Sequence, residues 1–202
     1  MKYKRKNIAR AFEIETIWSK RAPLGPYPVI LVLDGLKAAF NVGKIVRTAN
    51  ALGLREVFLV GMQPWDPVLA RGALKATRTR AFLTLHEALC ALREDGYTAY
   101  ALHPRGEISL GDIAYPEKTA FIVGHEELGL SLPLEEQPDV KAVRIPQFGI
   151  VESLNVSVAA SIAAFDYLRE RKLLGTADPL IPLPSSPATA DPAIRSSVLN
   201  PP

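Results

Sequence analysis

Little in this chain of 202 residues points to the commoner chemistries. It holds one cysteine, Cys90, and three histidines, His86, His103 and His125, that stand far apart in sequence. A single thiol excludes an internal disulfide framework and fits a reducing cytoplasm. The scattered imidazoles offer no metal site of recognisable spacing. No apolar run is long enough to span a membrane, and no secretory apolar region stands near the basic, polar N-terminus. Gly-x-Gly-x-x-Gly, Gly-x-x-x-x-Gly-Lys-Ser/Thr and Gly-x-Ser-x-Gly are all missing. Neither a dinucleotide fingerprint, a phosphate loop nor a hydrolase elbow is therefore supported.

What is present reads as a soluble α/β protein. A hydrophobic content of 48% with 22% charged residues is ordinary for a globular chain of this length. The pattern predicts strands at 29–33, 56–60, 97–102, 119–123 and 141–145, with a weaker one at 81–83. Between them it predicts helices at 42–52, 66–74, 84–94 and 154–172. The Val/Ile/Leu-rich strands lack polar alternation, so the sheet is expected to be mostly parallel and covered by helices on both faces.

Three regions follow from composition. Residues 1–28 read as a basic N-terminal arm with one amphipathic stretch (Ile8, Phe12, Ile14, Ile17, Trp18), and residues 29–174 as the α/β domain. Residues 175–202, with seven prolines and three charged side chains, read as a Pro-rich flexible tail. Residues 1–21 set seven cations against Glu13 and Glu15 and sum to +5, which leaves −2 for the rest of a chain whose net charge is +3. A basic arm on a near-neutral body suggests an anionic polymer as partner. Lys4, Arg5 and Lys6 in the arm are candidate contacts to the backbone of such a polymer, as are Arg71, Lys75, Arg78 and Arg80 in a stretch without acid. A solvated helix face is the plainer reading of that second cluster.

Polar residues gather where loops follow strands. The stretch Arg144–Asp166 runs from a strand end through a Pro/Gly turn into Glu152, Ser153, Asn155 and Ser157, then into a helix with small residues on every face. Such a helix is expected to be buried all round. Asn41 stands just before a helical run, where capping would suffice to explain it. Arg47 lies among Ile45, Val46, Ala49 and Leu52, so an anionic or carbonyl partner is expected for it. Phe121–Ser131 is an apolar strand that breaks into a Gly-flanked acidic loop containing Glu126.

The three blocks Asn41–Gly53, Phe121–Ser131 and Arg144–Asp166, in this order, resemble the SpoU (TrmH-like) family of RNA ribose 2′-O-methyltransferases of the SPOUT superfamily. The resemblance covers roughly residues 29 to 173. It implies a C-terminal trefoil knot, S-adenosylmethionine as cofactor, a homodimer, and tRNA or rRNA as substrate, with tRNA favoured. It assigns catalytic roles to Asn41, Arg47, Glu126, Ser153 and Asn155. Cofactor binding falls to the backbone at Gly124, Ile145 and Leu154, with Leu102 and His103 lining the same pocket. Glu126 is expected to orient Arg47 or to hydrogen-bond Asn41 and nearby backbone. Arg47 is read as an electrostatic stabiliser, because a guanidinium almost never loses its proton. His125 stands where the family often has Asn, and Gln147 where it more usually has Met. Ala159, Ala160, Ala163 and Ala164 are expected at the dimer interface. Since only about thirty residues precede the sheet, the N-terminal RNA-binding domain of some rRNA-modifying members is expected to be absent. Two rivals remain open: a non-catalytic RNA-binding protein that keeps the fold, and a methyltransferase acting on a small molecule or a protein.

Overall fold

The computed structural model describes residues 2–174 and 176, with side chains from residue 7 onward. Seven parallel strands form one sheet: β1 (Tyr27–Asp34), β2 (Leu54–Val60), β3 (Thr79–Phe82), β4 (Thr98–Leu102), β5 (Ile108–Ser109), β6 (Thr119–Val123) and β7 (Val140–Arg144). Their spatial order is β3-β2-β1-β6-β4-β7-β5. Among the described residues, five helices accompany them: α1 (Lys2–Ser19), α2 (Ala39–Ala51), α3 (Ala73–Ala76), α4 (Leu85–Glu94) and α5 (Val156–Glu170).

Strand alternation explains why the core strands carry no polar face. Along β1, Val29, Leu31 and Leu33 face α2 and α5, while Ile30 and Val32 join the opposite cluster with Leu85, Leu89 and Leu92 of α4. Both faces are dry, as expected. The short edge strand β5 was not legible, since two residues carry no period.

One segment differs from the sequence reading. The expected helix at 66–74 is broken: a 3₁₀ turn at Pro67–Ala70 ends at Arg71 (φ 52°) and Gly72 (φ 82°), and only one turn of α3 follows. Left-handed backbone at two successive residues cannot continue a right-handed helix. Within the segment read as an N-terminal arm, an 18-residue helix packs against α3. Phe12 stacks on Trp65 with ring centroids 5.6 Å apart. Ser19, fully buried, donates to the Thr77 carbonyl at 2.6 Å and pairs with the Thr79 hydroxyl.

α5 is buried on one face only. Ala160, Ala163, Ala164, Tyr167 and Leu168 pack into the core, where small side chains let the helix approach α2 closely. Val158, Ile162 and Phe165 are 46%, 37% and 49% exposed. They recur at helical spacing and form an apolar stripe on the outer face.

Candidate active site

Parallel strands deliver all their carboxyl ends to one edge of the sheet, and backbone groups beyond the last ladder pair are free there. β6, β4 and β7 lie side by side, so the loops that follow them converge. Together with the segment before α5 they wall a cavity of about 440 Å³. Leu102 and His103 reach it from β4, Gly124 and Glu126 from β6, Ile145 from β7, and Ser153, Leu154 and Asn155 from the approach to α5. Residues separated by more than fifty positions in sequence, Leu102 and Asn155 among them, meet at this one place.

A chain of hydrogen bonds runs along the cavity's edge. Glu126 Oε1 accepts from Asn41 Nδ2 at 2.8 Å and from the Ala38 N–H at 3.3 Å, and Oε2 accepts from the Lys37 N–H at 3.0 Å. Asn41 Oδ1 accepts from Asn155 Nδ2 at 3.2 Å. Asn155 Oδ1 in turn accepts from the Ser157 N–H at 2.9 Å and so caps α5. Asn41 is only 2% exposed and sits inside the first turn of α2, not before it. The capping reading of Asn41 therefore fails: α2 has no side-chain cap, and this amide joins the loop after β6 to the start of α5.

Burial pushes the Glu126 carboxyl upward, but the bonds from Asn41, the Lys37 N–H, its own N–H and the Ala38 N–H outweigh it and hold the group below the usual carboxylate range. Glu126 is ionised at neutral pH. Asn41, Lys37 and Ala38 supply three of the roughly four donors a carboxylate can accept, so Glu126 ties these neighbours together.

Arg47 lies elsewhere. Six residues beyond Asn41 along α2, about 9 Å by helical rise, it is exposed and lines a groove between α2 and α5. That groove also contains Lys44, Thr48, Val158, Ile162 and Phe165. The anionic or carbonyl partner expected for Arg47 is not among the described residues, and Glu126 does not orient it.

The second basic cluster is divided. Arg78 donates to the carbonyls of Lys20 and Ala22, fastening the end of α1. Arg80 pairs with Asp95 at 2.7 Å and stacks over Phe58 and Phe82. These two guanidiniums serve the fold, which leaves Arg71 and Lys75 exposed. The solvated-face reading thus fails for Arg78 and Arg80 and holds for Arg71 and Lys75. The side chains of Lys4, Arg5 and Lys6, and the tail at 175–202 apart from Thr176, lie outside the described residues.

Lys37, Ala38 and Asp34 were missed by sequence reasoning. Lys37 and Ala38 act through backbone N–H groups, which no side-chain pattern reveals. Asp34, 2% exposed at the end of β1, accepts from the Ser131 N–H at 2.6 Å and from its hydroxyl at 2.8 Å, anchoring the far end of the Glu126 loop. A carboxylate closing a wholly apolar strand was the available signal. Gln147 sets an amide oxygen in the cavity region, buried and without a partner among the described residues.

The wall suits a nucleoside-sized ligand. Leu102, Leu130, Ile145, Leu154 and Val156 supply apolar surface, and Gln147 offers an acceptor that amino or hydroxyl donors of such a ligand would satisfy. The volume lies in the range of roughly 300–1,000 Å³ of small-molecule sites. Among the described residues no group of His, Cys, Asp or Glu is arranged to hold a metal ion, and no helix is long and apolar enough to cross a membrane.

The fold and cavity thus define an α/β protein with a small-molecule site at the carboxyl edge of a parallel sheet, bordered by a carboxylate–amide network around the buried Asn41. Residues 28–165 match the SpoU rRNA methylase family, and the chain belongs to it. It is 33% identical over 174 residues to a tRNA (guanosine(18)-2′-O)-methyltransferase of Thermus thermophilus, covering 84% of this chain and 87% of that one. A 23S rRNA (guanosine-2′-O-)-methyltransferase of Xylella fastidiosa is 35% identical over 155 residues, covering 74% of this chain and 62% of its own length. Among solved structures, an AdoMet-bound rRNA methyltransferase from Sinorhizobium meliloti superposes with a TM-score of 0.63 at 27% identity, covering 75% of this chain and 59% of that one.

Proposed function

We propose that the chain is an S-adenosylmethionine-dependent RNA ribose 2′-O-methyltransferase with tRNA as its preferred substrate. One observation carries the reading: the Glu126–Asn41–Asn155 network borders a cavity whose wall includes Leu102, His103, Gly124, Ile145 and Leu154. The tRNA preference is supported by the tRNA-modifying relative, which aligns along 87% of its own length.

S-adenosylmethionine, when bound, supplies a methyl group on a sulfonium centre. The chain's own task is to align a ribose hydroxyl, favour its loss of a proton and exclude water. Glu126 and Asn41 lock the loop after β6 to the start of α5, so Ser153 and Asn155 present their polar groups at a fixed place beside the cavity. Arg47 stays cationic and offers a guanidinium to an RNA phosphate or a developing alkoxide. Arg71 and Lys75 add exposed positive charge for the RNA backbone.

The finer architecture belongs to the same proposal. After β7 the chain returns across the ends of β4 and β6 to place α5 against α2, β1 and β6, a path that supports a C-terminal trefoil knot. A homodimer through α5 would use the outer stripe Val158, Ile162 and Phe165, since Ala160, Ala163 and Ala164 are consumed by the core. A lone cysteine supports a cytoplasmic location.

The test is transfer of a radiolabelled methyl group to unmodified tRNA and rRNA, followed by alkaline hydrolysis. Label in alkali-resistant dinucleotides is expected, in tRNA before rRNA, while label in mononucleotides would mean base methylation. Arg47→Ala should lower transfer at least about a hundredfold, the scale of losing one preorganised charge, with S-adenosylhomocysteine affinity kept. Unchanged transfer would remove Arg47 from the mechanism, and loss of transfer with RNA binding intact would exclude a non-catalytic RNA-binding protein.

A further inference from the structure

The loop that carries Glu126 has no regular structure, so its shape rests on a few hydrogen bonds. It closes through the His125 N–H to the Gly129 carbonyl at 2.8 Å and the Gly129 N–H to the His125 carbonyl at 2.9 Å. A Cβ on Gly124 would lie 2.4 Å from the Gly129 backbone, so the two strands of the loop touch. Inside the loop, His125 Nδ1 accepts from the Glu127 N–H at 3.1 Å and from the Leu128 N–H at 3.2 Å. Asp34 holds the far end and Glu126 the cavity side. Three side-chain acceptors therefore define the loop. Two are carboxylates; the third is an imidazole, the side-chain type whose ordinary charge change falls between about pH 5 and 8.

An Nδ1 that accepts carries no proton, so the ring is the neutral Nε2–H tautomer. The imidazolium form donates from both nitrogens and would set Nδ1–H against two N–H groups. We propose that His125 is a positioning residue for methyl transfer: its neutral ring folds the loop so that Gly124 lines the cavity and Glu126 meets Asn41, and protonation releases that fold. The loop part stands on geometry alone, while its effect on cofactor rests on the methyltransferase reading. The charged and titratable groups around the ring are Glu126 and Glu127 within the loop, Lys37, which binds Glu127 at 3.0 Å, and His103 on the β4 wall of the same cavity. An asparagine reproduces the acceptor without the titration, since its Oδ1 takes the same local N–H groups in an Asx turn.

The sign follows directly. If the neutral ring is the form that binds, affinity is full above the imidazole range and falls as pH drops through it. S-adenosylhomocysteine affinity of the full chain should weaken about tenfold between pH 8 and pH 5.5, the effect of losing about one net hydrogen bond. His125→Asn should keep the pH 8 affinity and show no such fall, and His125→Ala should be weak at both values. In the same pH series, ¹⁵N NMR of the free protein should show an acceptor-type Nδ1 at pH 8, with the Glu127 and Leu128 amides shifting together with the ring. A proton on Nδ1 at pH 8, or a wild-type slope surviving in His125→Asn, overturns the proposal. Absence of S-adenosylhomocysteine binding at every pH would instead overturn the methyltransferase reading, and the NMR series would still decide whether His125 holds the loop.

Discussion

Asn41 uses both ends of its amide, and that makes it hard to replace. Nδ2 donates to Glu126 and Oδ1 accepts from Asn155. Aspartate has the same shape but only acceptors, so Asn41→Asp sets a second carboxylate at the position now 2.8 Å from Glu126 Oε1. The variant should lose about 2–4 kcal/mol of stability at pH 7, combining a lost charged hydrogen bond with like-charge repulsion. The repulsion raises one carboxyl in the folded state above its unfolded value. Protons then bind the folded form preferentially, and the deficit should shrink as pH falls toward that raised value. Urea unfolding at pH 7 and pH 5 checks this, and an equal deficit at both would count against it. Wild-type Glu126 behaves in the opposite sense. Its depressed carboxyl contributes stability that is full above about pH 4.5 and lost as pH falls through the lower folded value.

At the scale of elements, close approach decides what α2 tolerates. A Cβ on Gly43 would stand 2.7 Å from the Leu69 carbonyl carbon and 2.8 Å from its oxygen. Alanine is the better helix former by about 1 kcal/mol, but backbone cannot yield as a side chain tip can, and overpacking costs about 1–3 kcal/mol. Gly43→Ala should therefore lower Tm by several degrees, and a raised Tm would mean the 3₁₀ turn at Pro67–Ala70 shifts freely. Elements whose side chains carried a period were legible: β1 was expected at 29–33 and runs Tyr27–Asp34, and α5 was expected at 154–172 and runs Val156–Glu170. The break at Arg71–Gly72 was not, because left-handed backbone at an arginine leaves no mark in composition. At the site, the polar side chains were legible through the resemblance, and Asn155 proves to cap α5. Their pairing was not, since the contacts to Lys37 and Ala38 are backbone and the Asn41–Asn155 bond spans 114 positions.

For the whole molecule, the position of Arg47 raises the question of what faces the α2–α5 groove. Asn41 turns inward from α2 while Arg47 points to solvent, about 240° further round the helix. Its surroundings combine three half-exposed apolar side chains, Val158, Ile162 and Phe165, with Lys44 and Arg47. Completing the burial of each apolar side chain is worth on the order of 1 kcal/mol, and a two-fold dimer counts every residue twice. A second copy seated there would bring Arg47 under cover. The paired substitution Ile162→Glu with Phe165→Glu replaces two surface side chains and touches neither the core nor the cavity. It should convert a dimer into a folded monomer in sedimentation, with unchanged circular dichroism. Because the cavity is walled within one chain, S-adenosylhomocysteine affinity should stay within about threefold, less than one hydrogen bond's worth. Methyl transfer should collapse, since Arg47 is returned to open solvent. A variant that is monomeric yet fully active would show that one chain completes the site, with Arg47 acting on RNA directly. A wild-type protein that is already monomeric would leave the stripe to another partner and remove the dimer from the proposed mechanism.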